Sequence, residues 1–442
     1  MKKVCILGQG YIGLPTALMF ATHGLKVVGV DINKEIIHTL SNGGLHIEEP
    51  GLKEYFNQAL AIGNLSFSLA VEEADAFIIT VPTPFLHDEV GNYEDKTYKK
   101  ADMSYVLSAT EMILPHLKKG NLVVLESTSP PRATTDLVRP ILESSGLRAG
   151  VDFFLVYCPE RVLPGQILKE LVENARVIGG IDHASAEAGR DLYSHFVKGE
   201  IYLSDATTAE MVKLMENTYR DVNIAIANEF SRLADCFGVN VWEAISLANR
   251  HPRVKILNPG PGVGGHCISV DPWFFVEAAP DLASLIYTAR MVNDAQPKFV
   301  FDLVRRSLGS LKDKKITALG LAYKPDVDDL RESPALDIVR LLQNAGACVK
   351  AYEPFKPNAK LSGITTVPTL DLALQDADAV ILLVNHTELR GLTPEKLTAL
   401  TPARILIDTV YGWVDKDWFS AGFKIYCLGV GEKKQEFDSL TV

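Results

Sequence analysis

Short runs of apolar residues alternate with longer segments of helical periodicity along the first half of the chain. The apolar runs lie at 3–7, 26–30, 76–81, 122–126 and 153–157. Continuous apolar runs of this length, with helical segments between them, are typical of strands buried on both faces of a parallel sheet. The pattern therefore predicts an α/β fold, with a doubly wound parallel sheet over residues 1–205.

The same order of elements returns in the last third of the chain. Apolar runs recur at 316–321, 348–352, 377–384 and 404–409, with a helical segment at 334–344. The sequence Ala-Asp-Ala-Val-Ile-Leu-Leu-Val at 377–384 closely matches Ala-Asp-Ala-Phe-Ile-Ile-Thr-Val at 74–81. This repeat predicts a second Rossmann-like domain over residues 311–442.

A long helical segment lies between the two sheet-forming regions. Residues 207–237 contain neither proline nor glycine, and Gly238 follows at the position of a C-cap. At 1.5 Å per residue the helix is about 45 Å long. We expect it to join the two α/β domains or to form an oligomer interface, within a central domain at 206–310. We also expect the apolar residues Met211 and Met215 to be buried.

Three smaller segments complete the prediction of elements. Residues 241–248 have the periodicity of a helix, and 281–301 reads as a further helix despite Pro297. Residues 87–102 are charged and polar, which favours a solvated loop.

A glycine motif follows the first strand and opens the first helix. Its sequence is Gly8-Gln9-Gly10-Tyr11-Ile12-Gly13, and the next strand ends at Asp31. Glycines there let the backbone and the helix N-terminus receive a pyrophosphate, while the acid accepts hydrogen bonds from a ribose 2′-hydroxyl. Because Asp31 would repel a 2′-phosphate, the motif predicts NAD rather than NADP.

Composition narrows the class of protein. The chain has 442 residues, 47% of them hydrophobic and 22% charged, with a net charge of −11. An acidic chain disfavours general binding to nucleic acid or anionic membranes. The six cysteines are scattered, which argues against a metal site or a disulfide framework. Without an apolar run of roughly 18 residues, we expect a cytoplasmic protein with reduced thiols.

One cysteine follows an unusual glycine-rich stretch. Gly260, Gly262, Gly264 and Gly265 precede Cys267 within eight residues, and Asp271 lies four residues beyond it. A thiol in a cavity built from glycines, with an acid nearby, suggests a covalent site. The alternative is a tight turn that ends in a buried cysteine, the commoner outcome for a lone cysteine.

Other polar residues occur where ligands meet α/β sheets. Pro82-Thr83, Thr128 and Glu160 each follow a predicted strand, and ligands bind at the carboxyl ends of parallel strands. On the long helix, Lys213, Asn217 and Arg220 share one face at i, i+4 and i+7. A solvated stripe is the alternative, but a buried lysine and asparagine require polar partners, which favours a site.

Together these motifs resemble, over essentially the full chain, the nucleotide-sugar 6-dehydrogenases of the UDP-glucose and GDP-mannose dehydrogenase superfamily. The matching segments are Gly8–Gly13, Pro82-Thr83-Pro84, Glu126-Ser127-Thr128, Cys158-Pro159-Glu160-Arg161, Lys213 with Asn217, Gly264-Gly265-His266-Cys267 with Asp271, and Lys324 with Arg331-Glu332-Ser333. The resemblance implies oxidation of a sugar C6 hydroxyl to a uronic acid with two molecules of NAD. A thiohemiacetal and then a thioester would form on Cys267.

The resemblance also implies roles for individual residues. Lys213 and Asp271 would transfer protons and stabilise oxyanion charge, Asn217 would donate a hydrogen bond, and Thr128 and Glu160 would position the hydrolytic water. Together with the glycine motif, the cofactor-binding set is Gly8, Gly10, Tyr11, Ile12, Gly13, Asp31, Pro82, Thr83, Thr128 and Arg331. The substrate-binding set is Glu160, Arg161, Val162, Lys213, Asn217, Arg220, Arg253, Gly264 and Lys324, with Arg253 reaching across a subunit boundary.

Departures from the glucose-specific members point to the sugar. Those members carry Phe-Leu after the glutamate, where this chain has Arg161-Val162, and a serine where it has His266. The segments 216–223 and 249–254 most resemble members that act on UDP-N-acetyl-D-mannosamine, with UDP-N-acetyl-D-glucosamine as the alternative substrate. His266 either lowers the pKa of the thiol or packs against it.

Two other classes of protein share some of these features with the nucleotide-sugar dehydrogenases. The β-hydroxyacid dehydrogenases share a Rossmann domain, a long helix and a lysine–asparagine pair, but they need no thiol and lack a second α/β domain of this kind. A nucleotide-sugar-binding regulator without activity would lack a catalytic residue, and none of the family's set is missing. The long helix predicts a homodimer or a higher homo-oligomer.

Overall fold

The computed structural model describes residues 1–431, with His87 described by its backbone alone, so the predicted domain at 311–442 ends outside the described residues. The chain forms two compact units, Met1–Glu216 with Trp273–Ala283 and Asn217–Pro272 with Ser284–Val442. The strands are β1 Lys3–Leu7, β2 Lys26–Val30, β3 Leu65–Ser68, β4 Ala76–Ile79, β5 Phe85–Tyr93, β6 Lys96–Ala101, β7 Leu122–Leu125, β8 Phe154–Tyr157, β9 Arg176–Gly180, β10 Ile201–Asp205, β11 Lys315–Leu319, β12 Cys348–Tyr352, β13 Thr365–Thr366, β14 Ala379–Leu382, β15 Ile405–Asp408 and β16 Lys424–Cys427.

The α-helices lie between these strands, singly or in succession. They are α1 Gly13–Thr22, α2 Lys34–Ser41, α3 Leu52–Ile62, α4 Ser104–Ile113, α5 Arg139–Glu143, α6 Ile167–Glu173, α7 His183–Tyr193, α8 Ala206–Phe237, α9 Val241–Ala248, α10 Asp271–Ala278, α11 Ser284–Asp294, α12 Gln296–Leu308, α13 Pro334–Asn344, α14 Leu370–Leu374, α15 Thr387–Arg390 and α16 Pro394–Leu400. A 3₁₀ turn at Leu114–His116 and a π turn at Thr134–Val138 complete the helical segments of the described residues.

The first unit is built on one sheet in the order β10-β9-β8-β7-β4-β1-β2-β3. All neighbouring strands are parallel except β8 and β9. Strand β1 shows why the apolar runs are continuous. Val4 and Ile6 lie in one buried cluster and Cys5 and Leu7 in another, because successive side chains point to opposite, covered faces.

Residues 85–101 correct the prediction of a solvated loop at 87–102. They form the antiparallel hairpin β5–β6, in which Tyr93 pairs with Lys96 and Val90 with Lys99. Glu94 adopts a φ of 52° in the two-residue turn. The hairpin was missed because polar side chains, such as those at 87–89 in β5 and 96–97 in β6, interrupt both strands, so the sequence lacks the apolar alternation by which strands are recognised.

The second unit contains a sheet in the order β13-β12-β11-β14-β15-β16, with all neighbours parallel. Its central strands are again buried on both faces: Ala379 and Ile381 belong to one cluster, Val380 and Leu382 to another. The predicted fold class, with two Rossmann-like sheets, is confirmed. Most predicted strands differ from the observed ones by one or two residues at their ends.

The predicted long helix is confirmed as α8, but two details of the helical region are wrong. Met211 and Met215 are 40% and 57% exposed, whereas burial was expected. The single helix predicted at 281–301 is two helices, α11 and α12. Pro297 lies in the first turn of α12. Because N–H groups in a first turn have no acceptor within the helix, the missing N–H of proline costs no hydrogen bond there.

Buried polar contacts hold part of α8 to α11 within the second unit. Arg290 of α11 is buried and its Nη1 lies 2.5 Å from Oδ1 of Asp221 on α8, while Asn293 donates to the same oxygen at 2.8 Å. A buried charge requires such partners. Across residues 1–431, no helix combines the length and hydropathy that a membrane span requires.

Candidate active site

The turn between β1 and α1 can be built only with glycine at two of its positions. Gly8 has a φ of 94°, and a Cβ there would lie 2.8 Å from the carbonyl oxygen of Thr80. A Cβ on Gly13 would lie 1.8 Å from the carbonyl oxygen of Gly8. Gly10, by contrast, is exposed and has open space beside it. The turn is therefore closed on its inner side and accessible on its outer side, as a phosphate cradle requires.

Two further features of this turn fit a dinucleotide. Helix α1 begins without a side-chain cap, so its first N–H groups can face an anion. Asp31 Oδ2 accepts the N–H of Gln9 at 2.9 Å, and Oδ1 accepts that of Asn33 at 2.8 Å. Since an ionised carboxylate has about four lone-pair sites, ribose hydroxyls can still be accommodated.

Sequence reasoning missed Thr80 as a support of the cofactor turn. Its hydroxyl lies 2.9 Å from the carbonyl oxygens of both Leu7 and Gly8. Of the predicted cofactor residues that follow this strand, Pro82 is exposed and Thr83 is partly buried.

The structure brings Glu160 and Lys213 together in the first unit. Glu160 is buried just beyond β8, and its carbonyl oxygen accepts a hydrogen bond from Lys213 Nζ at 2.8 Å. Thr128 is partly buried in the loop that follows β7. The preceding Ser127 donates to the carbonyl oxygen of Val81 at 2.7 Å, which ties this loop to the end of β4.

The loop after Glu160, which contains the predicted substrate residues Arg161 and Val162, is anchored by the protein itself. Arg161 Nη1 lies 2.6 Å from Glu216 Oε1, and Nη2 donates to the carbonyl oxygen of Ala175. Val162 is partly buried. Glu49, which sequence reasoning missed, accepts the N–H groups of Gly165 and Ile167, both at 2.8 Å.

A buried ionic cluster lies behind Glu160, and it too was missed. Arg176 Nη2 donates to Glu160 Oε2 at 2.8 Å, and its Nη1 lies 3.3 Å from Glu126 Oε1 and 3.6 Å from Cys158 Sγ. Tyr193 Oη donates to Glu126 Oε1 at 3.1 Å. Burial, followed by the negative charge of Glu160, raises the pKa of Glu126 to about 8. The one signal in the sequence is Arg176 itself, a charged residue that opens an apolar strand.

In the second unit, the structure groups Cys267 with His266, and Asp271 with Asn217. Cys267 Sγ lies 3.0 Å from His266 Nδ1. The N–H of Asp271 donates to the carbonyl oxygen of Cys267 at 2.8 Å, as in one turn of helix. Asp271 is 2% exposed, and its Oδ2 accepts a hydrogen bond from Asn217 Nδ2 at 2.6 Å.

The glycine loop that carries Cys267 packs directly on the loop after β11. A Cβ on Gly264 would lie 2.4 Å from the carbonyl oxygen of Glu332, and one on Gly265 would lie 2.7 Å from Cε2 of Tyr323. The N–H of Gly265 donates to the carbonyl oxygen of Arg331 at 3.0 Å. Burial, then the charges of Asp329 and Cys267, raises the pKa of Tyr323 to about 12.

The second unit also contains the remaining predicted residues, Arg220, Arg253, Lys324 and Arg331. Arg331 Nη2 lies 2.6 Å from Asp329 Oδ2, and Lys324 Nζ lies 5.7 Å from the ring centroid of Tyr323. Arg220 and Arg253 are exposed.

The second sheet carries an acid at the position of Asp31, but with different partners. Glu353 follows β12 as Asp31 follows β2, and its Oε2 accepts the N–H groups of Leu321 at 2.6 Å and Ala322 at 2.9 Å. The same oxygen lies 3.1 Å from Nε2 of the fully buried His386. Groups of its own domain therefore already hydrogen-bond to the Glu353 carboxylate.

The fold and the glycine turn define the class of protein: a dinucleotide-dependent oxidoreductase with a second, Rossmann-like sheet. Three family models match in order along the chain. The NAD binding domain matches residues 2–197, the central domain 207–295 and the UDP binding domain 317–414. The chain belongs to the UDP-glucose/GDP-mannose dehydrogenase family. Its cofactor is NAD, as predicted.

Individual relatives narrow the similarity further. The chain is 46% identical to UDP-N-acetyl-D-mannosamine dehydrogenase of Methanococcus maripaludis, over 98% of both chains. It is 47% identical to NDP-N-acetyl-D-galactosaminuronic acid dehydrogenase of Ralstonia nicotianae, over 94% of this chain and 97% of the relative. The solved UDP-D-ManNAc dehydrogenase of Pyrococcus horikoshii is 40% identical, with a TM-score of 0.89 over 97% of this chain and 100% of the other. The protein is an NAD-dependent nucleotide-sugar dehydrogenase, which decides against the β-hydroxyacid dehydrogenases and an inactive regulator.

Proposed function

We propose that this enzyme oxidises the C6 hydroxyl of a UDP-N-acetylhexosamine to the uronic acid, with UDP-N-acetyl-D-mannosamine as the favoured substrate. The observation that carries the proposal is the Cys267 thiol, 3.0 Å from His266 Nδ1, on a loop packed against the region that matches the UDP binding domain. Two relatives, at 46% and 40% identity, are named for the mannosamine derivative, which supports this substrate.

The first oxidation converts the C6 alcohol to an aldehyde. The C6–H bond breaks with its electron pair, the hydroxyl proton leaves, and a C=O double bond forms. NAD⁺ held at the Gly8–Gly13 turn would accept this hydride, and a second NAD⁺ would accept the hydride of the later step. Lys213, held by the Glu160 carbonyl oxygen at 2.8 Å, supplies positive charge beside the developing alkoxide. Asn217 and Asp271, joined at 2.6 Å, provide a donor and a proton acceptor.

The thiol makes the second oxidation possible, because an aldehyde has no leaving group for direct conversion to an acid. Cys267 Sγ adds to C6, and the oxygen takes up a proton to give a thiohemiacetal. Loss of a second hydride and the hydroxyl proton gives a thioester. Water then attacks C6, the C–S bond breaks, and the thiol recovers a proton. In this proposal His266 holds the thiol proton, and Glu160 with Thr128 orients the water.

Three UDP-N-acetylhexosamines are candidates for the substrate. The relative at 47% identity is named for a galactosaminuronic acid, which makes UDP-N-acetyl-D-galactosamine a second candidate. UDP-N-acetyl-D-glucosamine remains the alternative at C2. The glucosamine derivative differs from the mannosamine derivative at C2 and from the galactosamine derivative at C4. The anchored loop at 161–167 carries Arg161 and Val162, the residues that we assign to sugar contact.

A substrate panel with the purified enzyme tests the proposal. We expect UDP-N-acetyl-D-mannosamine with NAD to give the highest kcat/KM and two NADH per uronic acid. A yield of one NADH per sugar, together with full activity of a Cys267→Ala variant, would overturn the covalent mechanism. A higher kcat/KM for the galactosamine or glucosamine derivative would reassign the substrate and leave the mechanism intact.

A homodimer formed through α8 is also part of this proposal. Tyr219, Ile226, Phe230, Leu233 and Phe237 are all exposed and follow one another at intervals of seven, four, three and four residues. This spacing places them on one stripe of the helix. An exposed apolar stripe of that length favours pairing with a second copy. We likewise retain the domain division 1–205, 206–310 and 311–442, and a cytoplasmic location, as proposals.

A further inference from the structure

The cluster behind Glu160 holds two carboxylates and a single guanidinium. Arg176 lies between Glu160, at 2.8 Å, and Glu126, at 3.3 Å. Its guanidinium carbon also lies 4.6 Å from the ring centroid of Tyr193, so the aromatic face fixes the plane of the fork. Side chains of Arg176 and both glutamates are less than one-tenth exposed. None of Arg176, Glu126 and Tyr193 has a place in the mechanism above.

We propose that Arg176 is a positioning residue for the hydrolytic step, and that it holds the Glu160 carboxylate in the orientation from which it directs water at the thioester. The proposal rests on the proposed function, in which Glu160 acts on that water. Within residues 1–431, the other Glu160 oxygen, Oε1, accepts the N–H of the adjacent Arg161 alone, at 2.7 Å, and Arg176 is the side chain that fixes the carboxylate. The Glu160 carbonyl oxygen meanwhile holds Lys213.

Charge balance requires Glu126 to be neutral for this arrangement to work. A single guanidinium cannot neutralise two buried carboxylates, and buried charges without partners are costly. Glu126 Oε2 is buried and has no hydrogen-bond partner among the described residues, and such an oxygen is far more costly in an ionised carboxylate than in a protonated acid. Protonated Glu126 accepts hydrogen bonds through Oε1 but carries no charge. The positive charge of Arg176 is then balanced by the carboxylate of Glu160.

The same arrangement predicts how activity depends on pH. The groups that face Glu126 are Arg176 from β9, Tyr193 from α7, and Cys158 and Glu160 from the segment after β8. As the pH rises through the raised pKa of Glu126, about 8, a second negative charge develops and competes with Glu160 for Arg176. Hydrolysis should therefore lose rate on the alkaline side.

The test separates hydrolysis from hydride transfer in the full-length enzyme. Arg176→Lys keeps the charge but cannot bridge two carboxylates with one planar fork. We expect thioester hydrolysis to slow by about 100-fold, the scale of a misplaced catalytic group. The sugar adduct on Cys267 should then accumulate in intact-protein mass spectra during turnover, while the first hydride transfer in a single turnover changes little. Arg139→Lys, in an exposed ion pair with Glu143 at 3.0 Å, is the matched control and should behave as wild type.

A second variant decides the proposal even if Arg176→Lys fails to fold. Glu126→Gln mimics the protonated acid, so it should keep the neutral-pH rate and lose the alkaline decline. Wild-type hydrolysis in Arg176→Lys, equal slowing of both steps, or an unchanged alkaline limb in Glu126→Gln would each overturn the inference. Absence of both adduct and uronic acid from wild type with every UDP-sugar would instead overturn the proposed function.

Discussion

At the scale of single residues, the proposed chemistry depends on one sulfur atom, that of Cys267. Cys267 is the only one of the six free cysteines that follows a glycine loop, and the other five lie elsewhere in the sheets and helices or directly after a strand. In the second unit its sulfur lies 3.0 Å from His266 Nδ1, and Asp271, four residues further on, accepts a hydrogen bond from Asn217. The chemistry proposed for Cys267 can be tested with one atom replaced.

Cys267→Ser should stop the reaction before the acid is formed. An alcohol oxygen is a poorer nucleophile than a thiolate and a poorer leaving group in the hydrolysis, so the second oxidation stalls. We expect uronic acid formation to fall by more than about 100-fold, with NADH per consumed sugar approaching one. Quantifying the acid by chromatography beside NADH absorbance checks this. Cys236→Ser, at an exposed cysteine on α8, is the control. Unchanged acid formation in Cys267→Ser would contradict the covalent mechanism.

Glu126→Gln should change how stability depends on pH. Because the folded-state pKa is raised from 4.5 to about 8, the folded protein holds a proton that the unfolded chain releases in this window. Stability from this group is present below the lower value and is lost as the pH rises through the higher one, by about 1.4 kcal/mol per pH unit for one proton.

Glutamine has no proton to lose, so the variant's unfolding midpoint should rise relative to wild type as the pH increases, and level off above the raised pKa. Thermal unfolding monitored by circular dichroism across this window measures the difference. A difference that stays constant with pH would show that Glu126 ionises normally.

Residues of the cofactor turn could be predicted from the sequence, whereas the Arg176 cluster could not. Gly8, Gly13 and Asp31 have fixed spacings because the chain between them is one strand, one turn and one helix. Arg176 and Glu126 are 50 residues apart and meet only because β7, β8 and β9 are neighbours in the sheet. The order of strands, and hence that meeting, is not contained in local periodicity.

At the scale of elements, the loop that carries Cys267 is shaped by the loop beneath it. Gly264 has no left-handed φ to explain its glycine, but a side chain there would collide with the backbone of Glu332. Gly265 has two reasons to be glycine, because its φ is 86° and a Cβ there would meet the ring of Tyr323. The thiol is therefore placed by contact with residues 323–334, more than 50 residues further along the chain.

Gly264→Ala should displace the loop and reduce activity. Its Cβ would lie 2.4 Å from a carbonyl oxygen, so backbone must shift; overpacking of this kind costs about 1–3 kcal/mol. We expect kcat to fall by about 100-fold, because the thiol moves with the loop. Gly260→Ala is the matched control, since a Cβ there meets nothing within 4 Å. If both variants keep wild-type kcat and thermal midpoint, the contact with Glu332 does not place the thiol.

Elements with an apolar face were predictable, and those without one were not. The strands of both sheets follow directly from runs such as Val4–Leu7 and Val380–Leu382. The β5–β6 hairpin has mixed polar faces, and Ala101 at its end donates its N–H to Glu277 on α10 at 2.9 Å. Its stability therefore comes in part from a contact 176 residues away, which no local pattern reports. Pro297 was the sequence signal that 281–301 contains two helices, α11 and α12. It was read as an exception within one helix, whereas it marks the first turn of the second.

At the scale of the whole molecule, the apolar stripe on α8 gives a test of assembly. A charge at its centre should disrupt pairing, because desolvating a carboxylate in an apolar interface is costly. We expect Leu233→Glu to shift the protein from dimer towards monomer in sedimentation velocity. Leu372→Glu is the matched control, since Leu372 on α14 has the same exposure of 45%. A monomeric wild type, or a dimeric Leu233→Glu, would contradict pairing through this stripe.

The carboxylate of Glu353 has a consequence for the timing of the whole reaction. In the proposed chemistry each sugar loses two hydrides. In the described part of the chain, however, only the first sheet has a glycine turn followed by an acid that can still bind ribose hydroxyls. The second sheet ties its acid to the N–H groups of Leu321 and Ala322. On this proposal NADH must therefore leave the Gly8–Gly13 turn and a second NAD⁺ must bind there midway through every turnover, while the half-oxidised sugar stays bound to the enzyme.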